Sequence, residues 1–129
     1  MKMEHIGILT KQLETMKNFY CTFFMATANR KYTNTSKGFE SYFLCFDEGC
    51  RLELMQMSRV SEKNTDNSTE LLGIAHFAIS VGSVQAVKSL TNDIQNSNHK
   101  VISEPRLTGD GYFESVILDP DGNRIEITS

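Results

Sequence analysis

Hydrophobic and polar residues follow the same order of patterns in two halves of the chain. Each half opens with an alternation typical of a strand and continues with apolar residues at three- and four-residue spacing, which predicts an amphipathic helix. Each half then ends with three further strand-like segments. The two copies lie about 70 residues apart, which indicates an internal duplication rather than a repeat array.

In the first half, residues 3–9 are predicted to form a strand, and Lys11 to Met25 a helix. The apolar face of this helix comprises Leu13, Met16, Phe19, Tyr20, Phe23 and Phe24. Further strands are expected at residues 32–34, 39–46 and 51–57.

In the second half, residues 72–81 are predicted to form a strand, and Ser83 is expected to be the N-cap of the following helix. The apolar face of that helix comprises Val84, Val87, Leu90 and Ile94. The later strands are expected at residues 100–103, 112–118 and 123–128, the last two separated by a turn at residues 119–122.

The polar segment between the halves has no useful period, so we interpret residues 58–71 as a linker. We predict one domain over residues 1–129, with a first module of about residues 1–57 and a second of about residues 72–129. A length of 129 residues is ordinary for one compact domain.

Composition excludes several classes of function. A net charge of −3 and a pI near 5.6 provide no basic patch for nucleic acid and no polybasic membrane anchor. No segment has the apolar length of a membrane helix or the layout of a signal peptide. Three cysteines without CxxC spacing argue against a disulfide framework. A cytoplasmic location is therefore expected, whereas the mild acidity says little about the substrate.

Four residues occupy matching places in the two copies. His5 and His76 begin the first strand of each half, and a glutamate ends each half in the segments Arg51-Leu-Glu53 and Arg124-Ile-Glu126. The spacing from histidine to glutamate is about 50 residues in both copies. Two imidazoles and two carboxylates suit a divalent metal with nitrogen and oxygen ligands.

The direction of these side chains follows from the alternation of strand residues. In all four strands the opposite face is strongly aliphatic, whereas the face with His or Glu carries small and polar residues, as a lined cavity would. A single strand histidine or glutamate is usually an exposed or hydrogen-bonded residue. Shared ancestry alone would preserve the aliphatic pattern but not these four residues, so the duplication favours metal ligation.

The chain resembles the glyoxalase, bleomycin-resistance and dioxygenase superfamily, also called the vicinal oxygen chelate proteins. The resemblance spans nearly the whole chain, and the segments that support it are Glu4-His5-Ile6-Gly7, Asn18-Phe19-Tyr20, Arg51-Leu52-Glu53-Leu54, Ala75-His76-Phe77-Ala78 and Asp119 to Glu126. It implies an α+β fold in which two tandem βαβββ modules form a cupped mixed sheet around a metal site, often in a homodimer.

The ligand set is similar to that of glyoxalase I. The resemblance implies His5, Glu53, His76 and Glu126 as ligands of one divalent ion (zinc, nickel, cobalt, manganese or iron). It also implies that Glu126, or else Glu53, is the catalytic base. This glutamate would dissociate from the metal and abstract a proton next to a carbonyl. The implied activity is that of a lactoylglutathione lyase-like enzyme acting through a metal-stabilised enediolate.

Two features leave the substrate open. Glyoxalase I enzymes usually carry a glutathione-binding arginine on the first strand, where this chain has Leu9, and the Gly-Met or Gly-Phe that follows their first helix is here Met25 to Ala28. Arg51 and Arg124 are predicted either to bind an anionic substrate or to pair with the glutamates. With them, Tyr42, Phe43 and Tyr112 are candidate substrate residues.

Two other classes of function remain open. A binding protein like the bleomycin-resistance members would stack a planar ligand on aromatic side chains, here Phe39, Tyr42, Phe43, Tyr112 and Phe113. A thiol transferase or a dioxygenase would use the same metal cup.

Overall fold

The computed structural model describes residues 1–59, 61 and 72–129. Contacts within the chain separate two compact units, residues 1–63 and 64–129. The predicted linker, residues 58–71, lies outside the described residues except for Ser58, Arg59 and Ser61. No helix in the described ranges combines the length and the apolar character needed to span a membrane.

The first unit is a mixed sheet with one α-helix. Its elements are β1 (His5–Leu9), α1 (Leu13–Phe23), β2 (Thr27–Ala28), β3 (Tyr32–Asn34), β4 (Phe39–Cys45) and β5 (Arg51–Met57). The strand order is β1-β5-β4-β2, with β3 also paired to β4. β1 runs parallel to β5, whereas β4 and β5 are antiparallel.

The core of the first unit lies where α1 packs on the aliphatic face of β4 and β5. Leu52 and Leu54 retain 2% and 0% of their accessible surface, and Met16 and Tyr20 of the helix are fully buried. The helix begins without a capping side chain at its N-cap residue. Instead, Thr10 Oγ1 accepts the N–H of Gln12, and Gln56 Oε1 of β5 accepts the N–H of Leu13 at 3.2 Å, which fixes the start of α1 to the sheet.

The second unit repeats this arrangement. Its elements are β6 (Phe77–Ser80), α2 (Val84–Asn96), β7 (Val101–Leu107), β8 (Phe113–Leu118) and β9 (Arg124–Thr128), in the strand order β6-β9-β8-β7. β6 is parallel to β9, and β8 is antiparallel to both of its neighbours. The two βαβββ modules of an α+β fold are thus confirmed.

The second core is built from the same alternation. Ile117, Ile125 and Ile127 are fully buried, and so are Val87 and Ile94 of α2. The prediction for the start of α2 is confirmed, because the Ser83 hydroxyl oxygen accepts the N–H of Ala86 at 3.1 Å.

Three elements differ from their predictions by more than the one or two residues seen at the other boundaries. The predicted strand at residues 72–81 is shorter, because β6 begins only at Phe77 and leaves His76 just before it. The strand predicted at residues 100–103 continues to Leu107, and register shifts in its pairing with β8 accommodate Pro105, which has no N–H to donate. The short strand β2 was not predicted, since two residues carry no periodic signal.

Candidate metal centre

The first histidine–glutamate pair lies on neighbouring parallel strands. His5 of β1 is opposite Arg51 of β5, and Gly7 is opposite Glu53, so both members of the pair share one face. His5 Nε2 lies 3.7 Å from Glu53 Oε2, with the histidine side chain 40% exposed and the glutamate 17%. Because Gly7 has no side chain, nothing from β1 covers the Glu53 carboxylate at its own register position.

The other nitrogen of His5 is also occupied. His5 Nδ1 lies 2.5 Å from Glu4 Oε2. The same glutamate accepts Arg51 Nε at 2.7 Å through its second oxygen, which is also paired with Arg51 Nη2. Hydrogen bonds from His5 and Arg51 hold the pKa of the Glu4 carboxyl below its usual value.

Phe43 forms the apolar surface beside this pair. It lies opposite Glu53 in the β4–β5 register and therefore on the same face. The His5 ring meets Phe43 edge-on, with centroids 5.4 Å apart, and the Arg51 guanidinium lies 4.1 Å from the Phe43 centroid. These contacts restrict the orientation of both polar side chains.

The second pair has the same layout in its own unit. His76 Nε2 lies 3.2 Å from Glu126 Oε2, with side-chain exposures of 45% and 21%. Glu126 is opposite Ala78 of β6, which takes the place that Gly7 has in the first unit. A small residue therefore stands beside the glutamate in both copies.

Glu114 is a further acidic residue on the second face, and sequence reasoning missed it. It lies opposite Thr128, two residues from Glu126 along β9, so Glu114 and Glu126 share a face. Burial and the nearby Glu126 carboxylate raise the pKa of Glu114. Arg106 Nη2 lies 3.8 Å from the Glu114 carboxylate. The alternation within residues 112–118 is the signal that could have identified it.

Tyr42 is not where the prediction placed it. It lies opposite Leu54, on the face that α1 covers, and its hydroxyl donates to Glu14 Oε1 of that helix at 3.0 Å. Burial and the Glu14 carboxylate raise the pKa of Tyr42. Consecutive strand residues point to opposite faces, so Phe43 is on the face of His5 and Glu53 whereas Tyr42 is on the other. The structure therefore corrects the grouping of Tyr42 with Phe43.

The remaining predicted substrate residues lie at different depths. Arg124 begins β9 and shares the parity of Glu126, and its side chain is partly buried. Tyr112 is 57% exposed in the turn before β8, where its backbone N–H donates to Thr108 Oγ1. Arg51 is paired with Glu4 rather than with Glu53.

The geometry of each pair suits two ligands of one metal ion. Ligand atoms about 2.1 Å from a shared ion are about 3–3.5 Å apart at tetrahedral or octahedral angles, close to the 3.7 and 3.2 Å observed. Imidazole nitrogen and carboxylate oxygen form a donor set for zinc and for first-row transition metals. Across the described ranges, no group of three or more His, Cys, Asp or Glu side chains lies close enough to hold a metal. Each unit thus provides two of the four predicted ligands.

Comparison with known proteins agrees with this description. The model of the Glyoxalase/Bleomycin resistance protein/Dioxygenase superfamily matches residues 2–127. Glyoxalase I from Zea mays has a TM-score of 0.79 at 22% sequence identity, over 98% of this chain and 44% of the maize chain. The trypanothione-dependent glyoxalase I of Leishmania major has a TM-score of 0.79 at 23% identity, over 100% of this chain and 86% of that chain. A glyoxylase/bleomycin resistance protein/dioxygenase domain from Frankia sp. has a TM-score of 0.82 at 12% identity, over 99% and 96%.

These similarities have defined limits. At such identities the structural matches concern the fold, and the chain spans less than half of the maize enzyme. No curated protein sequence matches the chain. The family model covers nearly every residue, and its description is that of the resemblance predicted from the His and Glu motifs. The chain therefore belongs to the Glyoxalase/Bleomycin resistance protein/Dioxygenase superfamily.

Proposed function

We propose that this protein is a metal-dependent lyase or isomerase of the glyoxalase type, which moves a proton between adjacent carbons next to a carbonyl group. The observation that supports this proposal most is the repetition of one His–Glu pair. Both units place an imidazole Nε2 and a carboxylate oxygen on the same sheet face, 3.7 and 3.2 Å apart.

In this proposal His5, Glu53, His76 and Glu126 hold one divalent ion, which can be zinc, nickel, cobalt, manganese or iron. A bound ion would supply Lewis acidity to negative charge that develops on the substrate oxygens. We further propose a homodimer with two such sites, in which each site takes its two His–Glu pairs either from one chain or from both chains.

The proton transfer requires a base that can reach the substrate carbon. Glu126 is the proposed base, with Glu53 as the alternative, because both carboxylates lie on the open face of the sheet and remain partly exposed at 21% and 17%. A carboxylate that takes the proton from one carbon and returns it to the next balances the reaction without a redox partner.

The substrate is proposed to be a small oxygenated molecule. Arg124 and Tyr112 remain candidate contacts, and Phe43 would provide an apolar surface. A hemithioacetal of a 2-oxoaldehyde would give a 2-hydroxyacyl thioester as product. Leu9 occupies the place where glyoxalase I enzymes usually carry an arginine, so the thiol need not be glutathione. The three cysteines are free thiols, in keeping with a proposed cytoplasmic location.

Turnover of defined substrates tests the proposal. Purified protein supplied with each metal in turn is assayed for thioester formation from methylglyoxal with glutathione and with other thiols, and for conversion of catechols and epoxides. We expect thioester formation, and we expect Glu126→Gln to lower kcat by at least about 100-fold because it removes the proposed base. The matched control is Glu48→Gln, in an exposed turn of the first unit.

The outcomes separate the classes of function. Turnover of a catechol or an epoxide instead would assign the metal cup to a dioxygenase or a thiol transferase. Tight binding of a planar ligand with no turnover and no requirement for metal would favour a binding protein.

A further inference from the structure

The two halves of the proposed metal site are not equivalent. His5 follows Glu4, whose carboxylate contacts the His5 ring, whereas His76 follows Ala75, whose methyl group can accept no hydrogen bond. The repeat therefore keeps the two proposed ligands, but the residue before the second histidine cannot accept a hydrogen bond as Glu4 does.

The hydrogen bond between Glu4 and His5 determines which ring nitrogen carries a hydrogen. An ionised carboxylate can only accept, so the hydrogen of this bond lies on His5 Nδ1. In a neutral imidazole Nε2 then has a free electron pair. Nε2 is the nitrogen directed towards Glu53 Oε2, at 3.7 Å.

Arg51 holds Glu4 in this role. Its guanidinium donates to Glu4 Oε1, while the other oxygen, Oε2, receives His5 Nδ1. The guanidinium is in turn supported by the Phe43 ring at 4.1 Å, and the His5 ring contacts the same phenyl group edge-on. Arg51, Glu4 and His5 thus form a chain of hydrogen bonds packed against one aromatic surface.

We propose that Glu4, held by Arg51, is a positioning residue that fixes His5 with hydrogen on Nδ1 and the electron pair of Nε2 directed to the metal. This inference rests on the proposed function for the identity of the bound group. It assigns Arg51 to the support of His5 rather than to substrate binding. Carboxylate groups behind a ligating histidine typically raise metal affinity by about 10- to 100-fold.

The first experiment observes the ring itself. Long-range ¹H–¹⁵N correlation spectra of the metal-free protein, recorded with both imidazoles neutral, identify the tautomers of His5 and His76. We expect hydrogen on Nδ1 of His5 in the wild type. Glu4→Ala should shift His5 towards hydrogen on Nε2, and Glu4→Gln should retain part of the preference because its carbonyl oxygen still accepts. The His76 spectrum should not change.

The second experiment measures Zn²⁺ affinity by competition with a chromophoric chelator. We expect Glu4→Ala to raise the Kd for Zn²⁺ about tenfold, with a smaller increase for Glu4→Gln. Glu48→Ala removes one exposed negative charge from the same unit and is expected to leave the affinity unchanged. A melting curve for each variant verifies that the fold persists.

The two readouts fail independently. Hydrogen on Nε2 of wild-type His5, or a tautomer that Glu4→Ala does not alter, overturns the positioning role whether or not the protein binds zinc. If the wild type binds zinc and Glu4→Ala binds it equally tightly, the positioning role is also overturned. A wild type that binds no metal while Glu4→Ala alters the tautomer would instead overturn the proposed function and retain the role of Glu4.

Discussion

Thr91 and Ser115 form a buried hydroxyl pair that joins α2 to β8, and removing its two members should have unequal effects. Thr91 Oγ1 lies 2.7 Å from Ser115 Oγ and 2.6 Å from the carbonyl oxygen of Val87. The two residues retain 1% and 0% of their accessible surface. Because the one hydroxyl hydrogen of Thr91 is donated to Val87, the hydrogen between the two hydroxyls must come from Ser115.

The expected magnitudes follow from this direction. Thr91→Val keeps the shape of the side chain but removes the oxygen that accepts the hydrogen of the buried Ser115 hydroxyl. We expect this to lower the free energy of unfolding by about 1–3 kcal/mol. Ser115→Ala removes a single net hydrogen bond, about 1 kcal/mol, while Thr91 still donates to Val87. The double variant replaces both hydroxyls by apolar groups, so its loss should be about 1 kcal/mol and well below the sum of the single losses.

Urea unfolding followed by far-ultraviolet circular dichroism measures these free energies, since the chain has no tryptophan for a fluorescence signal. The expected coupling energy, the sum of the two single losses minus the loss of the double variant, is about 1–3 kcal/mol. Additive losses, or a Ser115→Ala loss larger than that of Thr91→Val, would refute the assigned direction of the hydrogen bond.

Two further predictions concern the helices. Ser83→Ala should lower the free energy of unfolding by about 1 kcal/mol, because the N–H of Ala86 loses its acceptor. Urea unfolding measures this loss, and an unchanged free energy of unfolding would contradict the prediction. Hydrogen bonds from Lys17 and Lys31 lower the pKa of Glu14 to about 2. The stabilisation that this brings is therefore present above the usual carboxyl pKa and is lost as the pH falls towards 2. Since Glu14 is 51% exposed, we expect Glu14→Gln to cost at most about 1 kcal/mol at pH 7. The difference from the wild type should shrink as the pH falls from about 5 towards 2, and a difference independent of pH would contradict this assignment.

The alternation of apolar residues was sufficient to predict the two modules. Leu52 and Leu54 alternate with Arg51 and Glu53, and this pattern places the glutamate on the face away from α1, as the structure has it. The alternation within a strand determines which of its side chains share a face, whichever strand it pairs with. The face of Glu53 could therefore be predicted without knowing the strand pairing.

The register in which β4 pairs with β5 could not be predicted from the sequence. Tyr42 and Phe43 are adjacent in one strand, so only one of them can share the face of Glu53. The choice is determined by the β4–β5 register, which pairs Phe43 with Glu53 and Tyr42 with Leu54. No composition or spacing signal within β4 distinguishes the two aromatics.

The contact between Glu4 and His5 was also not predictable from alternation. Consecutive residues of a strand point to opposite faces, which would separate these two side chains. Glu4 precedes β1 and is not bound by that rule, and its carboxylate reaches the histidine ring. Such end effects depend on where a strand begins, and the boundaries of elements are the part of a fold that sequence patterns predict least reliably.

Metal content per chain, measured by elemental analysis after saturation with Zn²⁺ and removal of the excess, tests the central claim most directly. The proposal predicts about one ion per chain, with occupancy lost in both His5→Ala and Glu126→Ala, because one variant alters the pair of the first unit and the other that of the second. Folded wild-type protein with no stoichiometric ion, or an ion retained in either variant, would contradict it.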